Sequence, residues 1–542
     1  MTTYLHIATR DSGSPHTPRR LPVPRLLVLA TVLVLSLRPL QSSAGEFDVM
    51  EATVSEVHAA FRSGKLTARQ LVQLYLDRIE AFDQKGPAIN CVISLNPAAL
   101  AEADRLDAEF ARTGKFVGPL HGIPVLVKDE VDVAGTATTQ GVKVFENYRP
   151  PLDAFAVKKL REAGAIMLAK TTLSEFAGGD TYSTFFGHSR NPYALDRTVG
   201  GSSGGSGGAL AANFGTLAIG EETSSSLKRP AAWGALTGMR PTPGLISRSG
   251  MWDGHPVPTA QMGPMARTVT DLAKMLDGMV GYDPEDPITA FGLMHTPKSY
   301  TQFLDPEGLN GARIGVIREP MGGNSNPQAE DFQKVEAVFV RALDDMRAAG
   351  ATVIDIEIPD LKKLMSKRTG DPKLTDEALH VYLSRNPDSE FKNRDDINNH
   401  PEMAKTFKVM RGQNSVRGRG PADPKDILES KYAREQLMMN IAKIMADLDL
   451  DAVAFKTVEH EPSIIAEATV PPYRSNGGTV SINTFLIHAP IIAVPMGYTS
   501  GTIPAGLTFM GLPFSEPALF KLGYAYEQAT KHRRPPLTTP AL

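Results

Sequence analysis

Leu71, Tyr75, Ile79 and Phe82 recur every three to four positions, which puts them on one face of a helix. Upstream of that stripe the chain carries two start signals of one kind, Thr53 with Glu56 and Thr67 with Gln70. Each matches the capping box, in which two side chains satisfy the free backbone N–H groups of a first turn, so residues 53–82 are predicted as two helices. The pattern then changes. Pro124-Val125-Leu126-Val127 is a short unbroken apolar run, as expected of a buried strand, and it ends on Lys128. Asp153 is predicted to cap a helix running to Ala163, with Gly164 ending it and Ile166-Met167-Leu168-Ala169 forming the next strand. Strand–helix alternation of this kind predicts an α/β fold whose sheet is covered on both faces. Ile491-Ile492-Ala493-Val494 returns to the strand-like pattern late in the chain.

Three stretches depart from this rhythm. Residues 199–208 contain six glycines in ten positions. They lead directly into the helix-forming run Ala209-Leu210-Ala211-Ala212, so a loop packed tightly in the core is expected rather than a floppy linker. Residues 360–430 are polar and charge-rich and are expected to form a peripheral insertion, placed to act as a lid. At the N-terminus, Arg19, Arg20 and Arg25 precede an apolar run from Leu26 to Leu37, followed by Pro39 and Ser42-Ser43-Ala44. A basic start, a short apolar core and a small-residue exit predict a signal peptide over residues 1–44, cleaved near Ala44 to leave residues 45–542 outside the cytoplasm, secreted or periplasmic. The run falls short of the roughly 20 apolar residues of a spanning helix, so membrane association is expected only if the segment stays uncleaved.

Composition narrows the classes. The 542 residues carry 57 basic and 60 acidic side chains, a net charge of -3, which leaves no global field to attract nucleic acid. The single cysteine, Cys91, sits in an apolar run, cannot form an intrachain disulfide, and is expected to be buried. No Cys/His cluster has zinc-like spacing, so neither metal nor cofactor is expected.

The candidate chemistry lies in three segments: Gly122-Ile123-Pro124-Val125-Leu126-Val127-Lys128-Asp129, the Gly/Ser loop around Ser202, and Gly220-Glu221-Glu222-Thr223-Ser224-Ser225-Ser226-Leu227-Lys228-Arg229-Pro230. A lysine closing a buried strand is costly to hold as a charge, and a neutral lysine is a usable base. A serine hydroxyl becomes a nucleophile only when a base takes its proton. Glycines let backbone N–H groups approach a substrate. Other readings fit some of the same letters. Gly201-Ser202-Ser203-Gly204-Gly205 matches the G-x-S-x-G elbow, but Leu195-Asp196-Arg197-Thr198 does not read as the strand an elbow requires. Ser225-Ser226-Leu227-Lys228 matches S-x-x-K without its usual partner motifs. The glycine loop lacks the ending that defines a phosphate-binding P-loop.

Together the three segments resemble the amidase signature family, from about residue 50 to the end. Lys170-Thr171-Thr172-Leu173-Ser174-Glu175-Phe176 and Gly263-Pro264-Met265-Ala266-Arg267-Thr268-Val269-Thr270-Asp271 also look like family stretches. The resemblance implies a single α/β domain with a central mixed sheet flanked by helices. It further implies a Ser-cisSer-Lys hydrolase of carboxylic amides: Lys128 as base, Ser202 as proton relay, Ser226 as nucleophile, and the backbone N–H groups of Thr223, Ser224, Ser225 and Ser226 as oxyanion hole. Thr172 and Ser174 are candidates for the substrate pocket. The family usually has two glycines where Ser224 and Ser225 stand, and an Asp where Glu222 stands. If the loop needs a positive φ there, the serines would be strained. The alternative readings are an esterase or carbamate hydrolase, a catalytically dead binding homologue, and a transamidating subunit within a tRNA-dependent amidotransferase. Neither the particular amide nor the oligomeric state is encoded in any motif.

Overall fold

In the computed structural model, residues 47–410, 422–470 and 477–542 are described. All of them lie in one compact unit beginning at Phe47, and the predicted signal segment lies outside the described residues. No helix among the described residues is long and apolar enough to cross a membrane.

The two N-terminal helices form where the capping signals place them, at Val54–Arg62 and Ala68–Phe82. Both capping boxes are closed: Thr53 with Glu56, and Thr67 with Gln70. Leu71, Tyr75 and Ile79 are buried along the predicted face. The helix after Asp153 runs Phe155–Glu162, but Asp153 does not cap it. Its carboxylate instead accepts the Ala134 N–H and pairs with Arg161, so a tertiary partner outcompetes the helix terminus.

Fifteen strands follow in chain order: β1 (Val92–Leu95), β2 (Pro124–Lys128), β3 (Ile166–Thr171), β4 (Tyr182–Ser183), β5 (Gly187–His188), β6 (Arg190–Asn191), β7 (Ala194–Thr198), β8 (Leu217–Glu222), β9 (Thr237–Arg240), β10 (Gln261–Ala266), β11 (Arg313–Ile317), β12 (Thr352–Ile356), β13 (Ala452–Lys456), β14 (Ile491–Thr499) and β15 (Ile503–Met510). Eleven of them make one sheet in the order β1-β3-β2-β8-β10-β9-β14-β15-β13-β11-β12. It is mixed: β2 is parallel to both β3 and β8, while β10, β9, β14 and β15 pair antiparallel. β2, β3 and β8 are buried along their whole length, which is why β2 and β3 begin as unbroken apolar runs instead of alternating ones.

Two readings change. Ala194–Thr198 is a strand after all, paired with β6 in a two-stranded ribbon outside the main sheet. Its polar, partly exposed residues hid it, since a peripheral ribbon has no buried face to pattern. The glycine stretch is not a loop throughout. From Gly204 to Ala211 it is a fully buried helix, despite the roughly 1 kcal/mol per glycine that helix propensity charges against it. Close packing explains the glycines: a Cβ on Gly205 would lie 2.3 Å from the Thr172 nitrogen, and one on Gly208 2.4 Å from Cys91 Sγ. Cys91 is buried, as expected.

Candidate active site

β2 and β8 are parallel neighbours, with Val127 opposite Ile219, so their carboxyl ends emerge side by side. This puts Lys128 next to Glu221 and Glu222, where an open α/β sheet places its ligand crevice. The buried glycine helix delivers Ser202 from the other side. Its loop is stitched to the β8 segment by Ser203: the Glu221 N–H donates to Ser203 Oγ, Ser203 Oγ donates to the Glu221 carbonyl, and the Ser203 N–H donates to the Ser226 carbonyl. The Gly201–Ser202 peptide is cis. Arg229 grips the Gly201 carbonyl through Nε at 3.1 Å and Nη2 at 2.7 Å, and its Nη1 sits 3.1 Å from Asp180.

Lys128 is fully buried, and its Nζ donates to Ser202 Oγ at 2.7 Å. Ser226 lies at the buried edge of a cavity of about 700 Å³, whose walls include Ala177, Gly178, Gly179, Thr223, Ser224 and Ser225. Further walls come from Arg229, Arg368, Ser430, Arg434, Thr479 and Phe485. The 360–430 segment therefore contributes directly to the cavity, through Arg368 to Pro372, Leu374, Thr375, Ile427 and Ser430. It is anchored to the core where Tyr382 donates to the buried Asp132 at 2.8 Å.

The Thr223–Ser226 loop is pinned from outside. Arg368 donates to the Thr223 carbonyl, while Lys228 and Thr484 donate to the Ser224 carbonyl. In a trans peptide the N–H points away from the C=O, so these bonds orient the N–H groups of Ser224 and Ser225 away from Arg368 and Lys228. Neither Ser224 nor Ser225 has a positive φ, so the strain considered for two serines in place of glycines does not arise.

Thr172 and Ser174 do not line the cavity. Thr172 Oγ1 bonds Ser189 Oγ at 2.6 Å and packs against the glycine helix, and Ser174 is buried beside the short turn Glu175–Ala177.

Two buried carboxyl groups bear on the charge of Lys128. Glu221 Oε2 lies 2.9 Å from Nζ and Glu130 Oε1 2.7 Å from it, both carboxyls being buried. Burial works against the ammonium, but the Glu130 and Glu221 charges overcome it and hold the Lys128 pKa above the usual lysine value. Burial pushes Glu130 far up, whereas Glu221, beside Lys128 and Thr223, is held low against the same burial. Sequence reading passed over Glu130 and Glu221. Their signal was two acidic residues next to segments otherwise apolar or small.

Comparison with known proteins agrees with this geometry. The amidase family model matches residues 70–520. The chain is 32% identical to a protein named "Probable amidase" from Arabidopsis thaliana, over 94% of this chain and 96% of that one. It is likewise 32% identical to a subunit of the glutamyl-tRNA(Gln) amidotransferase of Thermosynechococcus vestitus, over 90% of this chain and 99% of that one. Among solved structures, the native peptide amidase from Stenotrophomonas maltophilia superimposes with a TM-score of 0.78 at 33% identity, covering 90% of this chain and 99% of that one. The protein is a hydrolase acting on carbon–nitrogen bonds; it belongs to the amidase family, with that family's fold, a central mixed sheet flanked by helices.

Proposed function

We propose that this protein hydrolyses a small carboxylic amide to acid and amine through an acyl-enzyme on Ser226, in a compartment outside the cytoplasm. The observation that carries the reading is the 2.7 Å bond between Lys128 Nζ and Ser202 Oγ, in a network joined by backbone to Ser226 at the cavity edge. Ser226 Oγ attacks the amide carbonyl as its proton passes to Ser202, and the Ser202 proton passes to Lys128. The N–H groups of the Thr223–Ser226 loop receive the developing oxyanion. The proton returns along the same path to the leaving amine, and water releases the acid. A panel of aryl, fatty-acyl and peptide amides, run beside the matching esters, tests the activity on wild type and Ser226→Ala. Activity in Ser226→Ala equal to wild type would remove the nucleophile assignment. Amides of peptides head the panel because a structural neighbour is a peptide amidase.

Export rests on the sequence pattern of residues 1–44. N-terminal sequencing of protein recovered outside the cytoplasm tests it; an intact Met1 on cytosolic protein would reject it.

A further inference from the structure

The proposed mechanism asks Lys128 to take a proton, yet the buried ammonium already has its full complement. Its surroundings supply the way out. Nζ touches three side-chain oxygens: Ser202 Oγ at 2.7 Å, Glu221 Oε2 at 2.9 Å and Glu130 Oε1 at 2.7 Å. One leads toward the nucleophile and two are carboxyl groups. The far oxygen of Glu221, Oε1, accepts from Thr223 Oγ1 at 2.6 Å, which fixes the carboxylate plane and ties it to the proposed oxyanion loop. The side chains are all buried except that of Thr223, which is half-buried, so bulk water is not the ready acceptor for a departing proton.

We propose that Glu221 is the seat of the proton removed from Ser226, with Lys128 acting as carrier between Ser202 and Glu221 and with Glu130 positioning the pair; this rests on the triad reading above. The step balances. An Nζ–H bond breaks as an O–H bond forms on Glu221 Oε2, leaving a neutral amine and a neutral acid. The Ser202 proton then moves to Nζ, the Ser226 proton moves to Ser202, and the freed electron pair of Ser226 Oγ forms the bond to the carbonyl carbon. The negative charge that began on Glu221 ends on the oxyanion, and Lys128 is again an ammonium. The reverse sequence protonates the leaving amine. The site therefore begins and ends with a single ion pair and never holds more than one.

The other groups facing this trio fit the scheme. Lys170, at the end of β3, contributes positive charge near Glu130, and Arg240 of β9 does so near Glu221. Arg240 favours an ionised Glu221 in the resting state, whereas Lys170 acts against a proton on Glu130 and is outweighed there by burial. Burial pushes Glu130 far up while Glu221 is held low, so of the two carboxyls against Nζ the resting carboxylate is placed on Glu221.

The test is the acid limb of the kcat–pH profile for wild type and Glu221→Gln, on the best amide of the panel. In wild type the limb is expected on the low side of the carboxylate range, because Glu221 is held low by Lys128 and protonating it fills the sink. In Glu221→Gln the limb is expected to move up by at least about 1 unit, with kcat near pH 6 falling about 100-fold and KM changing little, as for loss of a proton-transfer partner. If the carboxylate only clamps the lysine charge, removing it frees the amine, and the limb moves down or stays; either result overturns the proposal. Should Glu221→Gln fail to fold, the wild-type profile decides alone: a limb above about pH 8, the range of a lysine base, overturns it. Ser226→Ala separates this from the parent reading. An active Ser226→Ala sinks the triad, whereas an inactive one beside an unshifted Glu221→Gln sinks only the proton seat.

Discussion

Glu221 and Glu222 are consecutive residues of one strand, and each meets a buried lysine on its own side of β8. Successive strand residues point to opposite faces, so one pair lies on the side of Ser202 and the other on the side of Asn483. Lys128 meets Glu221 and Glu130, and its pKa is held above the usual value. Lys228 meets Glu222 Oε1 at 2.7 Å, Asn483 Oδ1 at 2.9 Å and the Ser224 carbonyl at 3.1 Å. There burial outweighs the single carboxylate, with Arg240 and Arg368 adding repulsion, and the pKa falls to about 8. Equal burial thus yields opposite shifts, and the number of carboxyls against Nζ decides the sign. The lysine that stays charged is the one in contact with Ser202; the one that titrates near neutrality fastens the oxyanion loop.

If that division holds, the largest effect separates the two lysines by activity. Lys128→Met is expected to lower kcat/KM by about 10,000-fold or more while the protein stays folded, as for removal of a triad member. Steady-state kinetics together with a thermal melt check it; a loss below about tenfold would break the comparison. Glu222→Gln acts on stability instead. It strands the Lys228 ammonium and is expected to destabilise by about 3 kcal/mol, whereas Glu222→Gln with Lys228→Met should recover most of that loss. Denaturant unfolding of both variants measures the difference.

A subtler contrast is in pH. The folded pKa of Lys228, about 8, lies below the value of 10.5 expected when unfolded. Between those two values the unfolded chain binds more protons, so stability contributed by this site rises with pH across that window and is level below it. Relative to the double variant, wild type should therefore gain stability between pH 8 and pH 10, read from unfolding at several pH values. For Lys128 the shift is upward, so its contribution is complete below the unfolded pKa and is lost only as pH climbs through the folded one. The smallest effect is Thr223→Val. It removes the hydroxyl from Glu221 Oε1, a charge-assisted bond worth roughly 1.5–3 kcal/mol, part of which water can replace at this half-exposed site. A kcat loss of about tenfold or less is expected; a loss as large as that of Lys128→Met would show the loop conformation, not the bond, to be at stake.

Local patterns were legible in the chain. Thr53, Glu56, Thr67 and Gln70 announce the first two helices because a cap involves residues three apart. The apolar runs ending at Lys128 and beginning at Ile166 announce β2 and β3 because a strand buried on both faces has no polar positions to interrupt it. Lys128, Ser202 and Ser226 stood out because each sits in a segment of unusual composition. What composition hid was Ala194–Thr198, whose ribbon has little core to face, and the helix through Gly204–Ala211, whose glycines answer to Cys91 and Thr172 on other elements.

The chain alone therefore determined the order of the elements, the family and the three residues proposed for the chemistry, since these depend on neighbours within a few positions. Only the tertiary structure decided which carboxyls stand against Lys128 and which residues wall the cavity. Glu221 lies 93 residues from Lys128 in sequence, and no local pattern reports an electrostatic contact at that separation. The parallel pairing of β2 with β8 brings them together, and the low dielectric of the buried site then makes the lysine's charge state depend on its carboxyl neighbours.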